Sequence, residues 1–263
     1  MGRNEPECAC IDCTRLNHAM ATPPLAILLP PSEGKATGGT RNSAWQPDSG
    51  SFGEALGERR RALALALAAA AGGDEKLLGV GGKHLAEAQQ ANATLVGSRT
   101  LPAARRYTGV VWDHLDLAAL SAPLRRRAGT SIFVLSGLLG VVAVGDPTPE
   151  YRLKMGARLA PFGLLGTWWR PALSAALNDA LARRVVIDLL PNEHRAAWTP
   201  APDRYRDGVR VVFVERYGKV AGHDAKAAKG ELARHLLLVG GDPIAALHTW
   251  RHARFDLDIN PLT

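Results

Sequence analysis

Four short, mostly apolar runs limit what this chain can fold into: residues 25–29, 132–135, 185–190 and 209–215, the third holding Asp188 and the fourth Arg210 and Glu215. Short apolar runs of this kind, rich in β-branched residues and bounded by turn signals, read as buried strands. Helical stretches lie between them. Residues 58–71 form an Ala/Leu/Arg helix by propensity, closed by Gly72 and Gly73. Residues 115–127 read as a second helix. Leu173, Leu177 and Leu181, spaced by four after Trp168 and Trp169, mark an amphipathic third. Residues 225–239 form another, with Lys226, Lys229 and Arg234 on a shared face and Gly230 breaking its apolar pattern. Residues 107–112 look strand-like, and the tail from Asp242 reads as one helical segment followed by a loose C-terminus.

Three of the strands run into polar or glycine-bearing loops. After Leu29 comes Pro30-Pro31-Ser32-Glu33-Gly34-Lys35. A phosphate-binding loop would need a glycine where Leu29 stands and a hydroxyl where Ala36 stands, so that motif is excluded. After Leu135, Ser136-Gly137 breaks the run, and Gly137 permits a backbone approach that a Cβ would obstruct. The rigid segment Asp146-Pro147-Thr148-Pro149 then delivers Tyr151, Arg152 and Lys154. After Leu190 come Pro191, Asn192, Glu193 and His194. Asp188 lies inside an apolar run, where a carboxylate must be paired, either in a site or in a structural salt bridge. His194 reads as a solvated loop histidine. If these strands share one sheet, Ser32, Glu33, Lys35, Ser136, Arg152, Asp188 and Glu193 converge at one edge. Such mixed charge suits a phosphate, a nucleobase or a carboxylate. Ser32, Glu33, Lys35, Asp188 and Glu193 are the catalytic candidates. Ser136, Gly137, Tyr151, Arg152, Lys226 and Lys229 are the ligand-binding ones. No Ser-His-Asp spacing, metal triad or dinucleotide fingerprint selects a reaction, and no cofactor is implied.

Residues 74–92 carry a different signal. Asp74 can cap a short helical turn, and Leu78-Gly79-Val80-Gly81-Gly82-Lys83 leads into a second helix. A short helix, a glycine hairpin and a second helix resemble the helix-hairpin-helix nucleic-acid module. Gly79, Gly81 and Gly82 let backbone amides approach a phosphate, the second helix aims its positive end there, and Lys83 adds a charge. The net charge of +7 agrees with a polyanionic partner, duplex or junction DNA. Short runs such as Arg59-Arg60-Arg61, Arg105-Arg106 and Arg125-Arg126-Arg127 need no partner and read as solvated helix faces or ends.

No apolar run approaches the length of a membrane helix, and Glu5 and Glu7 do not suit a secretory signal, which points to the cytoplasm. All three cysteines, Cys8, Cys10 and Cys13, fall near the start with His18. Their spacing is too tight for a zinc knuckle. Residues 1–22 are expected to be a disordered extension.

Several ordered motifs together resemble one family. Leu135-Ser136-Gly137-Leu138-Leu139-Gly140 followed by Tyr151-Arg152-Leu153-Lys154-Met155 is similar to the signature of the YaaA peroxide-stress-resistance family. The Pro30–Lys35 loop, Tyr107-Thr108-Gly109, Trp168, residues 185–193 and Ala225-Lys226-Ala227-Ala228-Lys229-Gly230 agree in order. The chain departs from the family pattern at Leu139, at Val142-Ala143 and at His194, and it is compressed between Gly53 and Tyr107. The resemblance implies an α/β (mixed α+β) fold. It would be a single compact domain over 23–245, with a central mixed sheet flanked by helices and the hairpin element within it, and a tail over 246–263. It also implies peroxide resistance, limitation of iron-driven damage and DNA binding. An enzyme acting on a nucleobase, nucleoside or related metabolite in the strand-end cleft is the alternative.

Overall fold

The four apolar runs become neighbours in one sheet. In the computed structural model, which describes residues 24–216 and 222–263, the chain opens with β1 (Leu25–Leu29). It continues through α1 (Gly53–Ala69), α2 (Glu75–Leu78), α3 (Lys83–Ala93), β2 (Thr100–Pro102), α4 (Ala103–Arg106), α5 (Val110–Leu115) and α6 (Ala122–Ser131). Next come β3 (Ile132–Ser136), β4 (Gly140–Ala143), β5 (Pro147–Pro149), β6 (Arg158–Leu159), β7 (Gly163–Leu164) and α7 (Leu165–Leu181). The remainder is β8 (Val185–Asp188), α8 (Asn192–Arg195), β9 (Asp207–Glu215), α9 (Gly222–Leu238), α10 (Pro243–Thr249) and β10 (Phe255–Pro261). The extension over residues 1–22, with Cys8, Cys10, Cys13 and His18, lies outside the described residues.

Six strands form the mixed sheet, in the order β10-β9-β8-β1-β3-β4. The inner four are parallel, with Ile27 facing Ile132 on one side and Ile187 on the other. β4 and β10 run antiparallel at the two edges. Every residue of β1, β3, β4 and β8 is buried, so both faces of the centre are covered. Leu56, Leu63 and Leu67 of α1, Trp169, Leu173 and Leu177 of α7, and Leu232 and Leu236 of α9 join that core. Removing such side chains from water contributes about 1.5–3 kcal/mol each. This is a single mixed α/β domain built around one sheet.

The connections position the site. From β1 the chain crosses to β3, then returns past β1 to β8 and β9 on the other side. The β1/β8 pair is therefore where successive connections diverge, and the carboxyl ends of the strands at such a switch point leave a crevice.

Three expected elements differ. Residues 115–127 are not one helix, because α5 ends at Leu115, Asp116 turns the chain at φ +42°, and α6 begins only at Ala122. Residues 107–112 are not a strand. Gly109, at φ +102°, turns the chain, and Val110–Leu115 is the helix α5 packed against α9. Gly230 allows that contact, since a Cβ there would lie 2.2 Å from the Val111 carbonyl oxygen. The tail over 246–263 is not loose. Phe255, Leu257 and Ile259 alternate with Asp256, Asp258 and Asn260, and β10 pairs with β9 from Phe255 opposite Glu215 to Pro261 opposite Val209. An alternating segment can cover an exposed strand edge while turning its charges to water.

Candidate functional site

Lys35 sits at the centre of the crevice. Its loop leaves the end of β1 and runs beside residues 106–108, bridging to Tyr107. The loop is held by Arg106, which is fully buried. That guanidinium donates to the carbonyls of Thr148 (3.1 Å), Gly38 (2.8 Å), Arg99 (3.3 Å) and Ala36. Lys35 Nζ donates to the Ser32 carbonyl at 2.9 Å and lies 4.2 Å above the Tyr151 ring. Burial, reinforced by the nearby Arg152 charge, lowers its pKa to about 7.

Tyr151 is fixed from below. Its hydroxyl lies 2.7 Å from Ser136 Oγ and 3.0 Å from Tyr107 Oη, and the Leu139 amide donates to Ser136 at 3.1 Å. Burial pushes the Tyr151 phenol up to about 12, so it stays a neutral platform. Gly137 lets the next segment lie on the strand end, since a Cβ would stand 2.6 Å from the Leu153 carbonyl oxygen.

Charged groups of both signs ring this platform. Arg152 is anchored by its Nε to the Leu78 carbonyl at 3.1 Å and by its backbone amide to Asn92 Oδ1 at 2.9 Å. Glu33 bridges Arg152 at 3.3 Å and Lys154 at 3.6 Å. Two cavities open here and share Glu33, Lys35 and Arg152 as walls. One, of about 100 Å³, reaches Lys154, Glu193 and His194. The other, of about 400 Å³, reaches Val80, His84 and Ala88 of the hairpin element.

The loop after β8 closes the far side. Asp188, buried at the strand end, accepts from the Leu190 amide at 2.8 Å and pairs with Arg195. Burial raises its pKa even so. Glu193 accepts from the Gly156 amide at 2.7 Å. His194 Nδ1 is sealed from solvent with no hydrogen-bond partner among the described residues. Burial, with Lys229 nearby, lowers its pKa to about 4. Lys229 itself is lowered to about 8 by burial, opposed by Asp188.

With this geometry in place, relatives can be compared. Residues 25–260 match the family model described as Peroxide stress protein YaaA. The chain belongs to the YaaA family. A UPF0246 protein of Streptomyces coelicolor is 37% identical over 223 residues, covering 83% of this chain and 85% of that protein. A UPF0246 protein of Corynebacterium glutamicum is 35% identical over 222 residues, covering 81% and 85%. An uncharacterized protein of Campylobacter jejuni shares 30% identity over 126 residues, about half of each chain. Membership carries a peroxide-stress role.

The YaaA-type signature residues do not all line the cavities. Ser32, Glu33, Lys35, Arg152 and Glu193 line the smaller cavity, and Tyr151 the larger. Ser136 and Gly137 lie beneath them, buried, as supports. Asp188 lines neither cavity and stands behind the wall with Arg195. Lys226 is exposed. His194 is half-buried rather than fully solvated, with its Nδ1 sealed and the residue lining the smaller cavity. Arg60 and Arg106 also depart from the solvated reading. Arg60 bonds the carbonyls of Leu139, Val141, Ser49 and Pro47 from full burial. The available signal was its spacing, four after Leu56 and three before Leu63, which places it on the apolar side of α1. In the hairpin element, Asp74 accepts from the Leu77 amide at 2.7 Å and Gly79 ends α2 at φ +63°. Gly82 opens α3 at φ +58° with no side-chain cap, and Gly79, Gly81, Gly82 and Lys83 are exposed. No described helix is long and apolar enough to cross a membrane.

Proposed function

We propose that this YaaA-family chain protects the cell against peroxide by binding DNA through the turn between α2 and α3, limiting iron-driven damage to it. The observation that carries the reading is the uncapped start of α3, exposed beside Lys83 and on the rim of a cleft whose walls carry Lys35 and Arg152 together with Glu33, Glu87 and Glu150. Lys154 Nζ reaches that rim, 3.3 Å from where a Cβ on Gly79 would stand. Uncapped first-turn amides with the positive end of the dipole suit a phosphate, and Lys83 and Lys154 add charge. Affinity should fall steeply with salt, with a shallower slope in Lys83→Glu. Fluorescence anisotropy on duplex and junction DNA across a salt series tests this. Unchanged affinity in a Lys83→Glu, Gly81→Val double variant sinks the hairpin reading. Protection of plasmid from ferrous iron and peroxide tests the second half.

A second reading is favoured by the acidity of Lys35 within a switch-point cleft, a combination DNA docking does not need. In it the chain is an enzyme acting on a nucleobase, nucleoside or related metabolite. Lys35→Ala and Asp188→Asn in a peroxide-survival assay separate the two. Full complementation by both variants removes the enzymatic reading.

A further inference from the structure

The amine of Lys35 has more chemistry than electrostatic docking requires. It lies where the two cavities meet, packed on the Tyr151 ring, with its loop clamped by the buried Arg106. Arg152 and Lys154 stand on the same wall. A desolvated lysine beside another cation is the usual arrangement of an amine nucleophile, because both effects favour the neutral form. Its lowered pKa leaves a large share of that amine neutral near pH 7. A neutral amine reacts readily with a carbonyl, and Arg152 and Lys154, which share the exposed Glu33 as partner, can exchange that carboxylate for an anionic carrier. The larger cavity, at about 400 Å³, falls within the size range of small-molecule sites.

We propose that Lys35 captures a sugar aldehyde carried next to a phosphate, forming an imine in the cleft. The proposal rests on the second reading above, in which the cleft acts on a ligand, and requires no duplex affinity at the hairpin. The nitrogen adds to the aldehyde carbon, and the carbon–oxygen bond breaks. Both protons of the neutral amine depart with that oxygen as water, so no redox partner is consumed. Two sources share this chemistry. One is a free sugar phosphate. The other is an abasic site in DNA, an aldehyde that oxidative base loss produces and that the α3 side of the cavity would bring beside Lys35.

Reductive trapping tests it. The full chain is incubated with borohydride and either an oligonucleotide holding one abasic site or deoxyribose 5-phosphate. Adducts are then located by peptide mass spectrometry. The expected result is a single adduct on Lys35, lost in a folded Lys35→Arg variant. Trapping of the oligonucleotide alone assigns the strand source. Trapping of the sugar phosphate alone assigns the metabolite source, and trapping of both confirms the shared chemistry. No adduct in either arm overturns the proposal, as does labelling spread over exposed lysines such as Lys76 and Lys83. Mapping on the unaltered chain keeps the test independent of the variant's folding. Anisotropy on intact duplex, run alongside, separates the readings. Binding without trapping removes this inference and leaves the hairpin reading standing, and trapping without binding does the reverse.

Discussion

The Tyr151 hydroxyl lies 2.7 Å from that of Ser136, and both are sealed beneath the cleft floor. Tyr151 also meets Tyr107, so one oxygen serves two others. Tyr151→Phe keeps the ring under Lys35 but strips a partner from each neighbour. The expected loss is about 1–3 kcal/mol in urea denaturation. An unchanged midpoint would mean the three hydroxyls are not joined.

His194 ties stability to acidity. Its folded pKa of about 4 lies below the ordinary 6.5 because burial disfavours the imidazolium. As pH falls from about 6.5 to about 4 the unfolded chain takes the proton first, so stability is lost across that window. His194→Gln should flatten the denaturation midpoint between those limits. A proton NMR titration of His194 should show no midpoint above pH 5.

Breaking the Asp188–Arg195 pair leaves an enclosed carboxylate with one amide donor from Leu190. Arg195→Ala should cost roughly 3 kcal/mol near neutral pH. With its partner gone, the Asp188 pKa rises further above its unfolded value. The penalty is then full at high pH and shrinks as the carboxyl protonates on acidification. Denaturation of both proteins at pH 7 and pH 5 checks this, and an equal penalty at the two values counts against it.

Gly230→Ala forces a methyl onto the Val111 carbonyl, so α9 must shift from α5. The expected destabilisation is about 1–3 kcal/mol, despite better helix propensity at the position. Thermal unfolding measures it, and a stabilised variant would show that the two helices are not in that close contact.

How much of this was legible depends on whether a signal was local. The strands from Leu25, Ile132, Val185 and Val209 were readable because a short, mostly apolar run rich in β-branched residues has few other homes. The Asp74 cap was local too. Arg106 was not, since its partners Ala36, Gly38 and Thr148 are remote in sequence. The β-branched pair Val110-Val111 favoured a strand, but packing against α9 decided otherwise. In β10 the period-two pattern was present, masked by Asp256 and Asp258. The partial burial of His194 was not legible, since the four residues of α8 are too few to show periodicity.

The central place of β1 has a consequence for biosynthesis. This strand leaves the ribosome before both of its partners, and its second neighbour is complete only when Asp188 has been made. Until β3 ends at Ser136, Leu25, Ile27 and Leu29 have no sheet to enter, and the side that β8 covers stays open until Asp188. Over that first stretch of translation the nascent chain must shelter an apolar pentapeptide, a natural client for a chaperone.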